Sequence, residues 1–202
     1  MLSPEQLKFS CKNEPSSIIS RLYIYAMTNS SKYIIDQLLV MDAQDGDVKA
    51  MEKLVSRWQK RLWLHAYRLT SDSQAAWDIT QQVWLGIIKG LRKLQDPANF
   101  KAWAYGITTN KSIDWIRKSK ALKHISIEDI QDHQQKEKQD TGIKELLRKL
   151  DVRKRAVISL YYFEQLGISE ISAALKIPKG TVKSRLASAR KELKELYQKH
   201  FE

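Results

Sequence analysis

Cysteine occurs once in the 202 residues, at position 11, which excludes an internal disulfide framework and suits a reducing compartment. No run of 18 apolar residues is available for a membrane span. Nor does the start carry the basic, then apolar, then small-residue succession of a secretory leader, so the sequence reads as a cytosolic chain without membrane insertion. Catalytic signatures are missing as well: there is no HExxH, no CxxC, no glycine-rich phosphate loop and no GxSxG. The four histidines, His65, His124, His133 and His200, are scattered along the chain. These absences argue against an enzyme, a metal centre or a bound cofactor. With 4 prolines and 7 glycines, turn signals are also sparse, which leaves long stretches free to be helical.

What the chain has in excess is positive charge. Forty-three per cent hydrophobic and 29% charged residues are ordinary, but the formal charge of +12 is not. Residues 142–202 carry +7 of it and residues 33–117 only +3. That concentration favours a polyanionic partner for the C-terminal part, with nucleic acid and an acidic membrane surface both compatible with the number.

Residues 1–32 are polar and irregular apart from "SIISRLYIYAM", and their role is open. From residue 33 to 118 the apolar spacing is helical throughout. Ile34, Leu38 and Met41 define the first helix, which stops at Asp45-Gly46-Asp47. Leu54, Trp58, Leu62 and Tyr67 define the second, ended by Ser71-Asp72-Ser73, which can also cap the third. Trp77, Val83, Trp84 and Ile87 mark that third helix up to Asp96-Pro97, and Phe100, Trp103, Ala104 and Ile107 share a face of the fourth. Residues 119–141 are charge-balanced, rich in glutamine and weakly periodic, the composition of a linker. Residues 142–202 form a second helical domain, making the fold all-α: two small helical domains joined by a flexible linker.

Near the C-terminus, "LKIPKGTVKSRLASARKEL" places Val182, Leu186, Ala189, Leu193 and Leu196 on one narrow arc of a helix opening at residue 179. The preceding segment repeats Ile168, Ile171 and Leu175, and Lys176-Ile177-Pro178 breaks it from the next helix. Two helices joined by so tight a turn make a helix-turn-helix, whose second helix enters the DNA major groove. Lys179, Thr181, Lys183, Ser184 and Arg185 are placed to read base edges and grip phosphates. The apolar stripe is needed for the hairpin core, which disfavours the membrane surface.

The stretch "LDVRKRAVISLYYFEQLGISEISAALKIPKGTVKSRLASARKEL" resembles the C-terminal domain of bacterial RNA polymerase sigma factors, and "DITQQVWL" with "FKAWAYGITTNKSIDWIRK" resembles their N-terminal domain. Possession of just these two domains is similar to the extracytoplasmic-function branch of the sigma-70 family. The resemblance implies a region 2-like domain at residues 33–118 that contacts core RNA polymerase and the promoter −10 element. It also implies a region 4-like helix-turn-helix domain at residues 142–202 that contacts the −35 element. Asp78, Gln81, Gln82 and Trp84 would form the polymerase-binding surface, while Asn99, Lys101, Tyr105, Thr108 and Ser112 would melt and read the −10 element. The implied partners are core RNA polymerase and promoter DNA, and an inhibitory anti-sigma factor is common in the family. Three departures stand out: Trp77 and Gln82 stand where acidic residues are usual, so the polymerase contact would rely less on charge; Gly106 and Thr109 occupy positions where basic residues are usual; and Lys176 replaces a glycine in the turn. A left-handed backbone there would cost a lysine about 1 kcal/mol.

Overall fold

A computed structural model of the chain describes residues 33–125 and 142–201. The extension expected over residues 1–32, with Cys11, and residues 126–141 of the expected linker, with His133, lie outside the described residues. All regular structure described is helical.

Residues 33–44 form α1, and Gly46, at φ +100°, turns the chain into α2 (Val48–Thr70) with a backbone conformation that suits glycine. Asp47 caps α2 by accepting the amides of Lys49 and Ala50 at 2.7 and 3.2 Å. Ser71 ends α2 in the left-handed region, and Asp72 at once caps α3 (Ser73–Gly90) through the Ala75 amide at 2.9 Å. Two 3₁₀ turns, Leu91–Lys93 and Pro97–Asn99, lead into α4 (Phe100–Ile125). Beyond residue 142 come α5 (Ile143–Lys149) and α6 (Val152–Ile158), which runs into a π-helical turn at Ser159–Phe163. The pair α7 (Ile168–Leu175) and α8 (Lys179–Phe201) completes the chain.

Leu54, Trp58, Leu62, Val83, Ile87, Phe100 and Ala104 are buried where α2, α3 and α4 meet. Trp58 is the largest of them, edge-on to Phe100 at 5.2 Å and to Tyr105 at 5.8 Å. In the second domain Leu146, Val157, Leu160, Leu166, Ile171, Val182, Leu186 and Ala189 are buried, so the stripe read along α8 does face a core.

The spacing of Ile34, Leu38 and Met41 does mark a helix, while one helix boundary is corrected. Ile34, Leu38 and Met41 of α1 point outward, at 50–55% exposure, while Val40 and Asp36 face the bundle. Polar anchors set this orientation: Asp36 pairs with Arg57 at 2.6 Å, and the Gln44 amide donates to the Leu91 and Leu94 carbonyls at 2.8 and 2.7 Å, satisfying groups that the end of α3 leaves open. The fourth helix also continues past Lys118 to Ile125, so the expected linker begins as helix.

The helix-turn-helix turn takes the predicted three residues, Lys176 to Pro178, and Lys176 adopts φ 53°, ψ 45°. Glu170 closes the other end of α7, accepting the Gly167 amide at 2.6 Å. Because a lysine holds a conformation that glycine adopts without steric cost, Lys176→Gly is expected to raise stability by about 0.5–1 kcal/mol, read from the urea midpoint.

Candidate nucleic-acid interface

The N-terminal turns of α8 present a cationic face. Lys179, Lys183 and Ser184 are exposed and Thr181 and Arg185 half-exposed, whereas Val182 and Leu186 between them are buried. One helical period thus separates the side that holds the domain together from the side left to a ligand. A Cβ built on Gly180 meets nothing within 4 Å, so no internal packing demands a glycine there. The bare backbone sits in the first turn, where free amides and the positive end of the helix dipole favour a phosphate. The sequence pattern alone did not single out Gly180.

The second feature is a cleft of about 350 Å³ between the end of α3 and the start of α4, lined by Gly90, Lys93, Leu94, Gln95, Asp96, Asn99 and Trp103. Asp96 shapes its rim by accepting the Ala98 amide at 2.9 Å and the Asn99 side-chain amide at 3.1 Å. Trp103 walls the cleft so closely that a Cβ on Gly90 would lie 2.9 Å from its ring. An indole wall, an asparagine and a lysine are the groups that stack on and hydrogen-bond an unstacked base. Of the expected −10 residues only Asn99 lies here. Trp103, Gly90, Lys93 and Gln95 complete the cleft, Trp103 being half-buried and packed against the core as well.

Of the remaining −10 candidates, Lys101 is half-buried, its ammonium 3.0 Å from the Tyr33 hydroxyl and over that ring at 5.0 Å. Tyr105, Thr108 and Ser112 are not exposed as expected; all three are buried. Thr108 and Ser112 donate to the carbonyls of Ala104 and Thr108, each at 2.8 Å, which satisfies them inside their own helix. The Tyr105 hydroxyl donates to Glu164 of the second domain. The physical reason is that α4 is covered on two sides, by α2 and α3 of its own domain and by α7 of the other.

On α3, Asp78, Gln81 and Gln82 are exposed as expected, and Gln74 donates to Asp78 at 3.3 Å. Trp84 is corrected to core, 8% exposed with its indole nitrogen buried. The aromatic residue on the outer face is Trp77, 42% exposed, followed by Leu85 and Ile88 at 58 and 55%. Trp77, Gln81, Leu85 and Ile88 fall at i, i+4, i+8 and i+11, an exposed stripe that is apolar except at Gln81.

Among the described residues no helix is long and apolar enough to cross a membrane. A sigma-70 region 2 family model matches residues 54–121, and a sigma-70 region 4 model matches residues 141–193. The extracytoplasmic-function sigma factor SigE of Mycolicibacterium smegmatis is 29% identical over 175 residues, covering 80% of this chain and 67% of its own length. SigW of Bacillus subtilis, of the same branch, is 26% identical over 174 residues, covering 77% and 93%. The chain belongs to the sigma-70 family, in its extracytoplasmic-function branch. As a sigma factor it serves promoter-specific transcription initiation. Its fold is similar to that of Bartonella quintana RpoE solved with the anti-sigma factor NepR, with a TM-score of 0.62 at 25% identity over 75% of this sigma factor and 98% of that chain. CnrH, solved with the cytosolic domain of CnrY, shares the fold at a TM-score of 0.63 and 24% identity over 81% and 97%.

Proposed function

We propose that this sigma factor binds core RNA polymerase through the outer face of α3, docks the N-terminal turns of α8 in the major groove of a −35 element, and captures an unstacked −10 base in the cleft beside Asn99 and Trp103. The observation that carries this reading is the segregation within α8 of a buried apolar stripe from an exposed cationic N-terminus. Lys179 and Lys183 supply charge for phosphates, Thr181, Ser184 and Arg185 supply hydrogen bonds to base edges, and Gly180 admits close approach of the sugar-phosphate backbone. The Trp77–Gln81–Leu85–Ile88 stripe, flanked by Asp78 and Gln82, suits a partner helix with mixed apolar and polar character. Such a protein performs no chemistry of its own; the polymerase active site does, in the cytoplasm where the two assemble. Two modules that each bind weakly gain affinity from the tether and from the polymerase that holds them. An anti-sigma factor is the third expected partner, by likeness to the complex of the Bartonella relative.

Leu85→Ala and Asp78→Ala tests the polymerase face. Each exposed side chain lies off the core, so the fold should survive while affinity for core enzyme falls by about 1–2 kcal/mol at Leu85 and less at Asp78. Titration of labelled sigma factor against core polymerase reads this, and unchanged affinity in both variants would remove α3 from the interface. The DNA assignment is tested by gel shift with and without core polymerase. Specific retention of promoter DNA is expected only with the polymerase, and tight specific binding by the chain alone would instead mark a self-sufficient helix-turn-helix regulator.

A further inference from the structure

Where α2, α4 and the turn after α6 converge, a fully buried histidine joins the two domains. His65 Nε2 lies 2.8 Å from Thr109 Oγ1 of the first domain, and Nδ1 lies 3.2 Å from Ser159 Oγ of the second. The tautomer follows from the hydroxyls. Thr109 Oγ1 already donates its proton to the Tyr105 carbonyl at 2.8 Å, so it accepts from Nε2–H. That leaves Nδ1 as the acceptor for the Ser159 hydroxyl, and the seam is built around a neutral imidazole. Beside it Glu164 of the second domain accepts from Arg68 and from the Tyr105 hydroxyl, and the Arg68 guanidinium lies over the Phe163 ring at 4.6 Å. One helical turn away on α4, Gly106 lets the backbone of α7 pass directly over the helix: a Cβ there would overlap the Ala174 carbonyl oxygen and sit 3.1 Å from its carbon. Gly106 and Thr109 are the two positions where basic residues are usual, and neither could carry a long cation against this seam.

We propose that this seam is acid-labile: His65 holds the closed arrangement, with α7 seated on α4 and Tyr105 withdrawn from any −10 strand, only while its ring is neutral. The proposal rests on the promoter reading given above. Elements named −35 and −10 are about 25 base pairs apart, roughly 85 Å of duplex at 3.4 Å per step, whereas a compact globule of this length is on the order of 45 Å across. A chain with α7 lying on α4 cannot engage both elements, so closure and promoter binding exclude each other.

The sign of the pH dependence follows from the groups facing the ring. Burial first, and the Arg68 charge second, lower the His65 pKa to about 3. Glu164, whose Oε1 lies 3.9 Å from Nδ1, has the opposite tendency but is already engaged by Arg68 and Tyr105. Tyr105, raised by burial and then by Glu164, remains a neutral donor, with Arg61 and Arg68 opposing that rise. Ser159 and Thr109 complete the surroundings and carry no charge. On opening, the imidazole regains water on one side and returns toward its ordinary value near 6.5. Above that pH both forms hold a neutral ring and closure is at full strength. As pH falls from 6.5 toward 3 only the open form takes up a proton, and closure weakens.

The test is time-resolved energy transfer in the full chain carrying Cys11→Ser, with dyes at Lys53→Cys and Lys191→Cys, both exposed and one on each domain. The ratio of open to closed molecules is expected to rise roughly tenfold between pH 7.5 and 5.5. His65→Gln, which cannot titrate, should make the ratio the same at both pH values. Gly106→Leu, which helix α4 itself tolerates, should give the long-distance population throughout. An unchanged distribution in the parent chain, a tenfold shift that persists in His65→Gln, or a closed Gly106→Leu chain would each overturn the proposal. No polymerase or DNA enters this measurement, so its failure is separate from any failure of the promoter reading.

Discussion

Trp58→Ala is expected to destabilise the first domain by about 3–5 kcal/mol, a large part of the stability of a small domain. The side chain is 1% exposed, touches the rings of Phe100 and Tyr105, and supports Arg61, whose guanidinium lies 5.0 Å from the indole centre. Deleting it removes the apolar burial and leaves a cavity that three helices meeting at fixed caps can close only in part. The indole nitrogen is buried without a hydrogen-bond partner. Trp58→Phe discards that orphan donor while keeping most of the aromatic volume, and should therefore recover most of the loss. Urea unfolding followed by helical circular dichroism measures both. A loss below about 1 kcal/mol for the alanine variant would mean that the residue is not the keystone its contacts imply.

The second large effect concerns the recognition helix. Arg185→Ala is expected to reduce −35-dependent initiation by about 1–3 kcal/mol, or roughly 5- to 150-fold, if the guanidinium reads a base edge. Lys183→Ala, at a position suited to phosphate, should weaken all promoters alike and flatten the salt dependence. Lys191 is exposed two turns further along α8, beyond the groove, and Lys191→Ala should be near neutral. Abortive initiation assays on one promoter and its −35 variants separate the three cases. Equal losses at all three positions would mean that the helix contributes only bulk charge. This experiment is independent of the Trp58 series because Arg185 lies half-exposed on α8, in the other domain from Trp58, and shares no contact with it.

The sequence carried the helices, the three-residue turn and the α8 stripe, because in each case one face is apolar and the other polar. It failed where both faces are apolar. On α3, Trp77, Leu85 and Ile88 repeat with the same helical period as Ala76, Val83 and Ile87, and period alone does not say which set meets the core. Trp84, expected on the polymerase face, is therefore buried, and Trp77 is the exposed tryptophan of this helix. On α1, the Asp36–Arg57 pair and the Gln44 amide outweigh the apolar spacing of Ile34, Leu38 and Met41, and these are tertiary partners that local pattern does not display. Tyr105, Thr108 and Ser112 do align on α4, but the docking of α7 against that helix is a contact between segments far apart in sequence. Gly106 and Thr109 signalled it only as an unexplained lack of arginine. The cleft beside Asn99 was half legible: the Asp-Pro-Ala-Asn turn announced itself, whereas the reach of Trp103 across Gly90 is a matter of packing.

The central claim is that two helical modules of this chain give core polymerase its promoter choice. In vitro transcription with purified core polymerase on a promoter library tests it directly. Initiation is expected from a subset of templates that share two short elements at fixed separation, with output lost when Arg185 or Trp103 is replaced by alanine. Initiation no different from that of core enzyme alone, or a subset with no shared element upstream of the start site, would contradict it.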